Sequence, residues 1–282
     1  MRRVQHQRHQ QRLQLLFLQS VYVHAKQQPT TCVYRQALSV FTTAVPARSS
    51  ISLFNERVRQ VQAMQRLSHP HLIKYLDVVP TKLSSGFKIS AVMPYYHESD
   101  LSSFITKQRR PLDEHRMCSL LLQISQALHY LHCPTPPIAH RDVKPENILM
   151  RQQGEQVLLM DLDTCREMSA GAPRGSRTIL AEYMAPEVQF GNSTVKCDVW
   201  SLGVVAFTLA ALPEFAMLPL NGQNTVLNAR EWTEVLLTDV VTRAIKTNCP
   251  TYSERLVGLI CKMLRHEDTR RPDSAAVESE LR

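Results

Sequence analysis

The strongest constraint in this sequence is a change of hydrophobic period close to residue 96. Before it, short runs rich in β-branched and aromatic residues dominate. "SVYVHAK" and "TCVYRQALSVF" flank the turn-like "QQPTT", while "LIKYLDVVP" and "FKISAVMPYY" flank a turn holding Gly86. Such runs predict strands, the first two as antiparallel neighbours. From Ser52 the period is different: Phe54, Val58, Val61, Met64 and Leu67 recur at three- and four-residue steps, predicting one helix that "SHPH" stops at Pro70. After "YHESD" the chain reads as helical. Residues 116 to 132 set Leu120, Ile124, Leu128 and Leu131 on one stripe, closed by "CPTPP". "KCDVWSLGVVAFTLAAL" is apolar almost all round, which predicts a buried central helix, and Lys196 and Asp198 within it argue against a membrane span. A final helix is expected around "YSERLVGLICKML", with Leu256, Leu259, Ile260 and Leu264 inward. A small sheet carrying one helix, followed by a larger helical body, is within reach of 282 residues.

Composition removes several function classes. Hydrophobic residues at 44% exclude a disordered chain. Seven cysteines, an odd number with no CxxC pair, argue for a reducing compartment and against a disulfide framework or structural zinc. The net charge of +8 is partly Arg2, Arg3, Arg8 and Arg12 in an acid-free opening; the rest is spread out with no basic stripe and interleaved aromatics. A solvated basic surface is expected, and no nucleic-acid partner. "LQLLFL" is too short to span a membrane and has no cleavage pattern behind it, and Met1-Arg2 excludes an N-myristoylation signal. The expectation is an irregular basic extension over 1–16, no transmembrane segment and a cytoplasmic location.

One stretch carries chemistry. "IAHRDVKPENILM", residues 138 to 150, places Asp142, Lys144, Glu146 and Asn147 within six positions, between apolar runs that can anchor the loop on strands. Phosphoryl transfer from a nucleotide needs a carboxylate to orient the attacking hydroxyl, a cation near the moving phosphate, and oxygen ligands for Mg²⁺. Asp142 can be the first and Lys144 the second. Asn147 can supply one metal oxygen and Asp161, in "VLLMDLD", the other.

These residues resemble a eukaryotic protein kinase of the serine/threonine type. "HRDVKPEN" at 140 to 147, "APE" at 185 to 187, "DVWSLG" at 198 to 203 and "RRP" at 270 to 272 stand in the order of that family, and the resemblance runs over roughly 17 to 280. It implies an α+β, bilobal protein-kinase-like fold: an N-lobe over 17–93 with a small β-sheet and one main helix, a hinge over 94–99, and a larger mainly helical C-lobe over 100–282. It further implies ATP and Mg²⁺ as cofactors, Asp142 as base, Lys144 at the transferred phosphate, and Asn147 and Asp161 on the metal. Glu187 and Arg271 would form a buried ion pair, and Asp198 would brace the loop from beneath. At the hinge, Met93 would be gatekeeper, Tyr96 would offer backbone groups to adenine, and Asp100 would meet the ribose, with a helix-capping role open beside it. "MDLD" is similar to the "MDLG" variant of the Numb-associated group; Asp163 in place of glycine is expected to stiffen the backbone beside Asp161.

The nucleotide-binding half departs from the family. The first glycine is Gly86, so no glycine-rich loop precedes "VYV", either in the protein itself or because the start lies inside a longer gene. Ser39 stands where the phosphate-anchoring lysine is expected and Gln60 where its glutamate partner is expected, a neutral Ser/Gln pair in place of an ion pair. Arg35 and Lys26 are the nearby cations that compensation would use. Arg141 is the family's receiver of an activation-segment phosphate, with Thr164, Ser169, Ser176 and Thr178 as candidate acceptors beside Arg174 and Arg177. Thr178 stands two places early for the usual glycine-threonine pair, at Ile179 and Leu180 here. Two readings follow. One is a kinase acting on Ser/Thr hydroxyls of protein substrates, itself a phosphoprotein with a regulatory protein partner. The other is a scaffold or interaction module with weak or no turnover.

Overall fold

The computed structural model describes residues 38–46, 51–83, 86–96, 99–107, 110–168, 182–211, 217–220 and 223–282, with backbone alone at 38–46, 153, 217–220 and 223–226. These fall into two compact units, one holding the described residues up to Ser68 and again Lys74–Tyr96, the other His69–Ile73 and the described residues from Ser99 onward.

The smaller unit is a three-stranded antiparallel sheet with one helix. Strands β1 (Leu38–Pro46), β2 (Asp77–Leu83) and β3 (Gly86–Pro94) lie in the order β1-β3-β2, with Ser39 opposite Met93 and Asp77 opposite Val92. Helix α1 (Ile51–Ala63) runs into a 3₁₀ turn at Met64–Arg66 and buries Phe54, Val61, Met64 and Leu67, the stripe expected from its spacing. Phe54 stacks on Phe87 of β3 at 4.3 Å. The expected strands over "SVYVHAK" and most of "TCVYRQALSVF", and with them Lys26 and Arg35, lie outside the described residues.

One strand differs from expectation. "LIKYLDVVP" is extended only from Asp77, because Leu72 and Ile73 have another partner: Ile73 N donates to Leu159 O and Leu159 N to His71 O, both at 2.9 Å. That pairing buries both side chains within the larger unit.

The larger unit is mainly helical. Helices α2 (Leu101–Lys107), α3 (Glu114–His132), α4 (Lys196–Ala211), α5 (Glu234–Asn248), α6 (Glu254–Met263) and α7 (Ser274–Leu281) surround three two-stranded pieces. These are β4 (Ile138–Ala139) with β7 (Arg166–Glu167), the hairpin β5 (Ile148–Arg151) with β6 (Gln156–Leu159), and β8 (Met217–Leu220) with β9 (Gln223–Val226). Helix α4 is the core element, buried at every residue from Cys197 to Ala210, as its lack of a polar face requires. Gly203 lets α6 come close: a Cβ there would stand 2.8 Å from Met263 Cβ. Helices α5 and α7 lie beyond the expected set. α7 offers only Ser274 and Val277 to the interior, too few positions for a readable period, although it packs along α3.

Candidate active site

The 140–147 loop is suspended between β4 and a 3₁₀ turn at Pro145–Asn147 that leads into β5. Its backbone turns through Arg141 at φ 69, a left-handed conformation that needs outside support in a residue with a Cβ. Asp198, at the start of α4, provides it. His140 N and Arg141 N each donate to the Asp198 carboxylate at 2.7 Å, and His132 Nε2 meets it at 3.0 Å. Burial alone would push the Asp198 carboxyl up, but the His132 hydrogen bond, the His132 and His140 charges and the Arg141 N–H outweigh it and hold it below the usual aspartate value. His132 Nδ1 in turn meets Ser274 Oγ at 2.9 Å, so the brace reaches α7. A second support lies below: Arg271, 1% exposed, pairs with Glu187 through both nitrogens at 2.8 and 3.0 Å and donates to the carbonyls of Lys196 and Arg265. A bidentate, fully hydrogen-bonded arginine is the form in which a buried charge is tolerated.

Within this frame Asp142, Lys144 and Asn147 converge. Lys144 Nζ donates to both oxygens of Asp142, at 2.9 and 2.7 Å. Asn147 Nδ2 donates to Asp142 O and Oδ2, both at 2.8 Å. His140 Nε2 lies 2.9 Å from Met160 O, and Met160 N donates to Asn147 O at 2.9 Å, which ties the loop to the segment holding Asp161. Burial pushes the His140 imidazole down, against the opposing charges of Asp198 and Asp142.

Asp161 follows β6 in the left-handed region, at φ 63 and ψ 58. Its Oδ1 is sealed from solvent with no hydrogen-bond partner. Burial, then the hydrogen bond and charge of Asp163, then the charge of Asp142, push its carboxyl well above the usual aspartate range, with Lys144 opposing. Residues Leu162–Thr164 form a 3₁₀ turn, a right-handed conformation open to any L-residue, and the left-handed residue is Asp161 itself.

The other expected site residues lie as follows. Asp100 Oδ1 accepts from Ser103 N at 2.6 Å and so caps α2, the role left open beside ribose contact. Met93 is buried in β3, and Tyr96 is half-buried just beyond it. Gln60 Nε2 donates to Glu56 Oε1 at 3.2 Å, an exposed pair along α1. That neighbour, one turn away, competes for the amide that a Ser39–Gln60 contact would use. Ser169, Arg174, Ser176, Arg177, Thr178, Ile179 and Leu180 lie outside the described residues.

Two residues gain parts that sequence spacing did not assign. Thr164, a candidate phosphate acceptor, has its hydroxyl on His140 O at 2.8 Å and Asp161 O at 3.2 Å, joining the two halves of the site. His132 carries the brace just described; its i, i+8 relation to His140 gives no metal-ligand signal, and its partners stand far off in sequence.

The donor set fits Mg²⁺. A hard cation takes oxygen ligands, and one or two carboxylates with an amide or water oxygens suffice. Asp161 offers an unsatisfied buried oxygen, and Asn147, whose backbone carbonyl accepts from the neighbouring Met160 N, offers an amide oxygen. Among the described residues no three His, Cys, Asp or Glu side chains form a cage, the pattern of tighter metals.

The protein kinase domain family matches residues 41–280. Serine/threonine-protein kinase CTR1 of Arabidopsis thaliana is 33% identical over 164 residues, 57% of this chain and 19% of that protein. Serine/threonine-protein kinase max-2 of Caenorhabditis elegans is 30% identical over 151 residues, 53% of this chain and 22% of that one. The putative mitogen-activated protein kinase kinase kinase 7-like protein of Drosophila melanogaster is 27% identical over 227 residues, covering 79% and 54%. The chain thus spans from about a fifth to about half of these relatives. It belongs to the protein kinase family, of the serine/threonine type. No helix among the described residues is long and apolar enough to cross a membrane.

Proposed function

We propose that this chain transfers the γ-phosphate of ATP to serine or threonine hydroxyls of protein substrates. The observation that carries the reading is the Asp142 carboxylate, oriented by Lys144 and Asn147, in one frame with the unsatisfied Oδ1 of Asp161. Asp142 takes the proton of the attacking hydroxyl as its oxygen bonds to the γ-phosphorus and the bond to the β-bridging oxygen breaks, releasing ADP. Lys144 on Asp142 holds the carboxylate in place, and turned outward it would meet charge growing on the moving phosphoryl group. Asn147 and Asp161 would hold Mg²⁺, which supplies charge neutralisation on the phosphates. Lysine two places after the aspartate is the basis for Ser/Thr acceptors, by family resemblance. That resemblance also assigns Met93, Tyr96 and Asp100 to the nucleotide, residues 1–16 to an extension and 17–282 to the kinase domain, with a hinge over 94–99. A cytoplasmic location rests on the sequence alone, whose seven cysteines are an odd number with no CxxC pair.

A second reading, an interaction module with weak or no turnover, is favoured by one set of observations. β1 carries Ser39 at the expected lysine position, and Gln60 is engaged with Glu56. Incubating the purified chain with Mg-ATP and a mixed Ser/Thr peptide library separates the two. Transfer lost in both Asp142→Asn and Asp161→Ala supports the kinase. Transfer surviving both belongs to a contaminant, and an absence of both transfer and Mg-ATP binding in a chain that carries its upstream glycine-rich segment favours the module.

A further inference from the structure

Two residues of the site hold left-handed backbone: Arg141 at φ 69, one place before Asp142, and Asp161 itself at φ 63. Neither is the glycine that such a conformation favours, so each has to be held from outside. The Thr164 side chain stands between them. Its hydroxyl donates to His140 O at 2.8 Å, and Asp161 O lies 3.2 Å from the same oxygen. A hydroxyl has one proton to give, so the shorter contact is the main bond and Asp161 O shares it.

Each of these carbonyls belongs to a peptide that matters. His140 O and Arg141 N are two ends of one peptide, and Arg141 N donates to Asp198 Oδ1 at 2.7 Å. That peptide is therefore gripped at both ends, by a carboxylate on its N–H and a hydroxyl on its carbonyl, just before the chain reaches Asp142. Asp161 O belongs to the peptide that leaves the left-handed aspartate. On the near side of Asp161, Met160 O meets His140 Nε2 at 2.9 Å. His140 thus holds the chain before Asp161 with its ring and, through Thr164, the chain after it with its carbonyl. The ring contact alone leaves Asp161 free to rotate about its own backbone bonds, and the hydroxyl removes that freedom.

We propose that Thr164 is a positioning residue for phosphoryl transfer: its hydroxyl sets the backbone of Asp161 against that of the Asp142 loop, and so sets the metal-holding carboxylate against the base. The inference rests on the kinase reading above and deepens it. The role needs no contact with metal or substrate, because Thr164 acts through two carbonyls. A side chain that places a ligand from behind is as much part of a site as the ligand itself. Thr164→Val removes the hydroxyl and keeps the volume, whereas Thr164→Ser keeps the hydroxyl and loses the methyl group.

The test compares the purified full chain as wild type, Thr164→Val and Thr164→Ser. Peptide phosphorylation, calorimetric titration with Mg-ATP, and amide hydrogen exchange over residues 160–166 without nucleotide are measured for each. Thr164→Val should lower kcat by ~10-fold or more, the range for lost support behind a metal ligand, with KM for the peptide unchanged. Its Mg-ATP affinity should weaken and its exchange over 160–166 should quicken, while Thr164→Ser restores all three toward wild type. A residue that only filled space would move the melting temperature and not this division between kcat and KM. Wild-type kcat, affinity and exchange in Thr164→Val would overturn the proposal and leave the kinase reading intact. Equal loss in Thr164→Ser would assign the effect to the methyl group and also overturn it. Wild type that transfers nothing would overturn the kinase reading and this role with it. If Thr164→Val does not fold, Thr164→Ala takes its place; failure of both to fold would make Thr164 a folding residue and overturn the proposal.

Discussion

Asp198 and Asp161 stand on two sides of the same loop and are treated in opposite ways. Asp198 is fully buried, and its oxygens take His140 N, Arg141 N and His132. Asp161 has an oxygen equally sealed from water that takes nothing, with a second acid against it. A buried carboxylate with three donors fixes backbone, whereas one left unsatisfied beside a like charge lowers stability and stands ready for a cation. The contrast separates a group that holds the loop from a group that the loop presents.

The comparison is open to attack at several points. The largest effect is expected for Asp198→Ala, which strands two loop N–H groups and an imidazole; the loss should be about 3–5 kcal/mol in urea denaturation. A loss under about 1 kcal/mol would mean the loop holds its left-handed Arg141 unaided. Asp161→Asn should move the other way and raise the melting temperature in EDTA, while abolishing transfer. A lower melting temperature would show that Asp161 is satisfied after all.

The two aspartates also differ in sign with pH. Asp161 is raised in the folded chain, so its contribution is fully present below the ordinary aspartate value of 3.8 and is lost as pH rises through the raised native value. Asp198 is lowered, so its contribution is present above 3.8 and is lost as pH falls through the lowered native value. In EDTA, denaturation midpoints of wild type should therefore fall relative to Asp161→Asn as pH rises above the ordinary aspartate value. Parallel curves would remove the distinction. The smallest effect is at the seam between the regions: Thr164→Val should lose about 1 kcal/mol, and Thr164→Ser should stay within about 0.5 kcal/mol of wild type. Equal loss in both would assign the effect to packing of the methyl group and not to the hydroxyl.

What the sequence made legible, and what it hid, follows from the range of the interactions. Helices α1, α3, α4 and α6 and the β2–β3 hairpin were readable because each carries its own period or turn. The grouping of Asp142, Lys144 and Asn147 was readable because six positions bring them together. Leu72 and Ile73 read as the start of a strand in the smaller unit, yet they pair with Leu159, a partner no local pattern announces. The backbone at Asp161 escaped for a similar reason. Glycine substitution drew notice to Asp163, but the left-handed turn falls two residues earlier, where Asp161 meets the carbonyl-bonded Thr164. Gln60 was read against Ser39 by position, while on its own helix Glu56 lies within reach.

The His132 imidazole links Asp198 to Ser274, a residue 142 positions downstream. During synthesis the loop around Asp142 therefore leaves the ribosome long before the hydroxyl that completes its support exists. For that interval the nascent chain exposes a half-built centre, and chaperone occupancy should track translation of the stretch up to α7 more closely than translation of the loop itself.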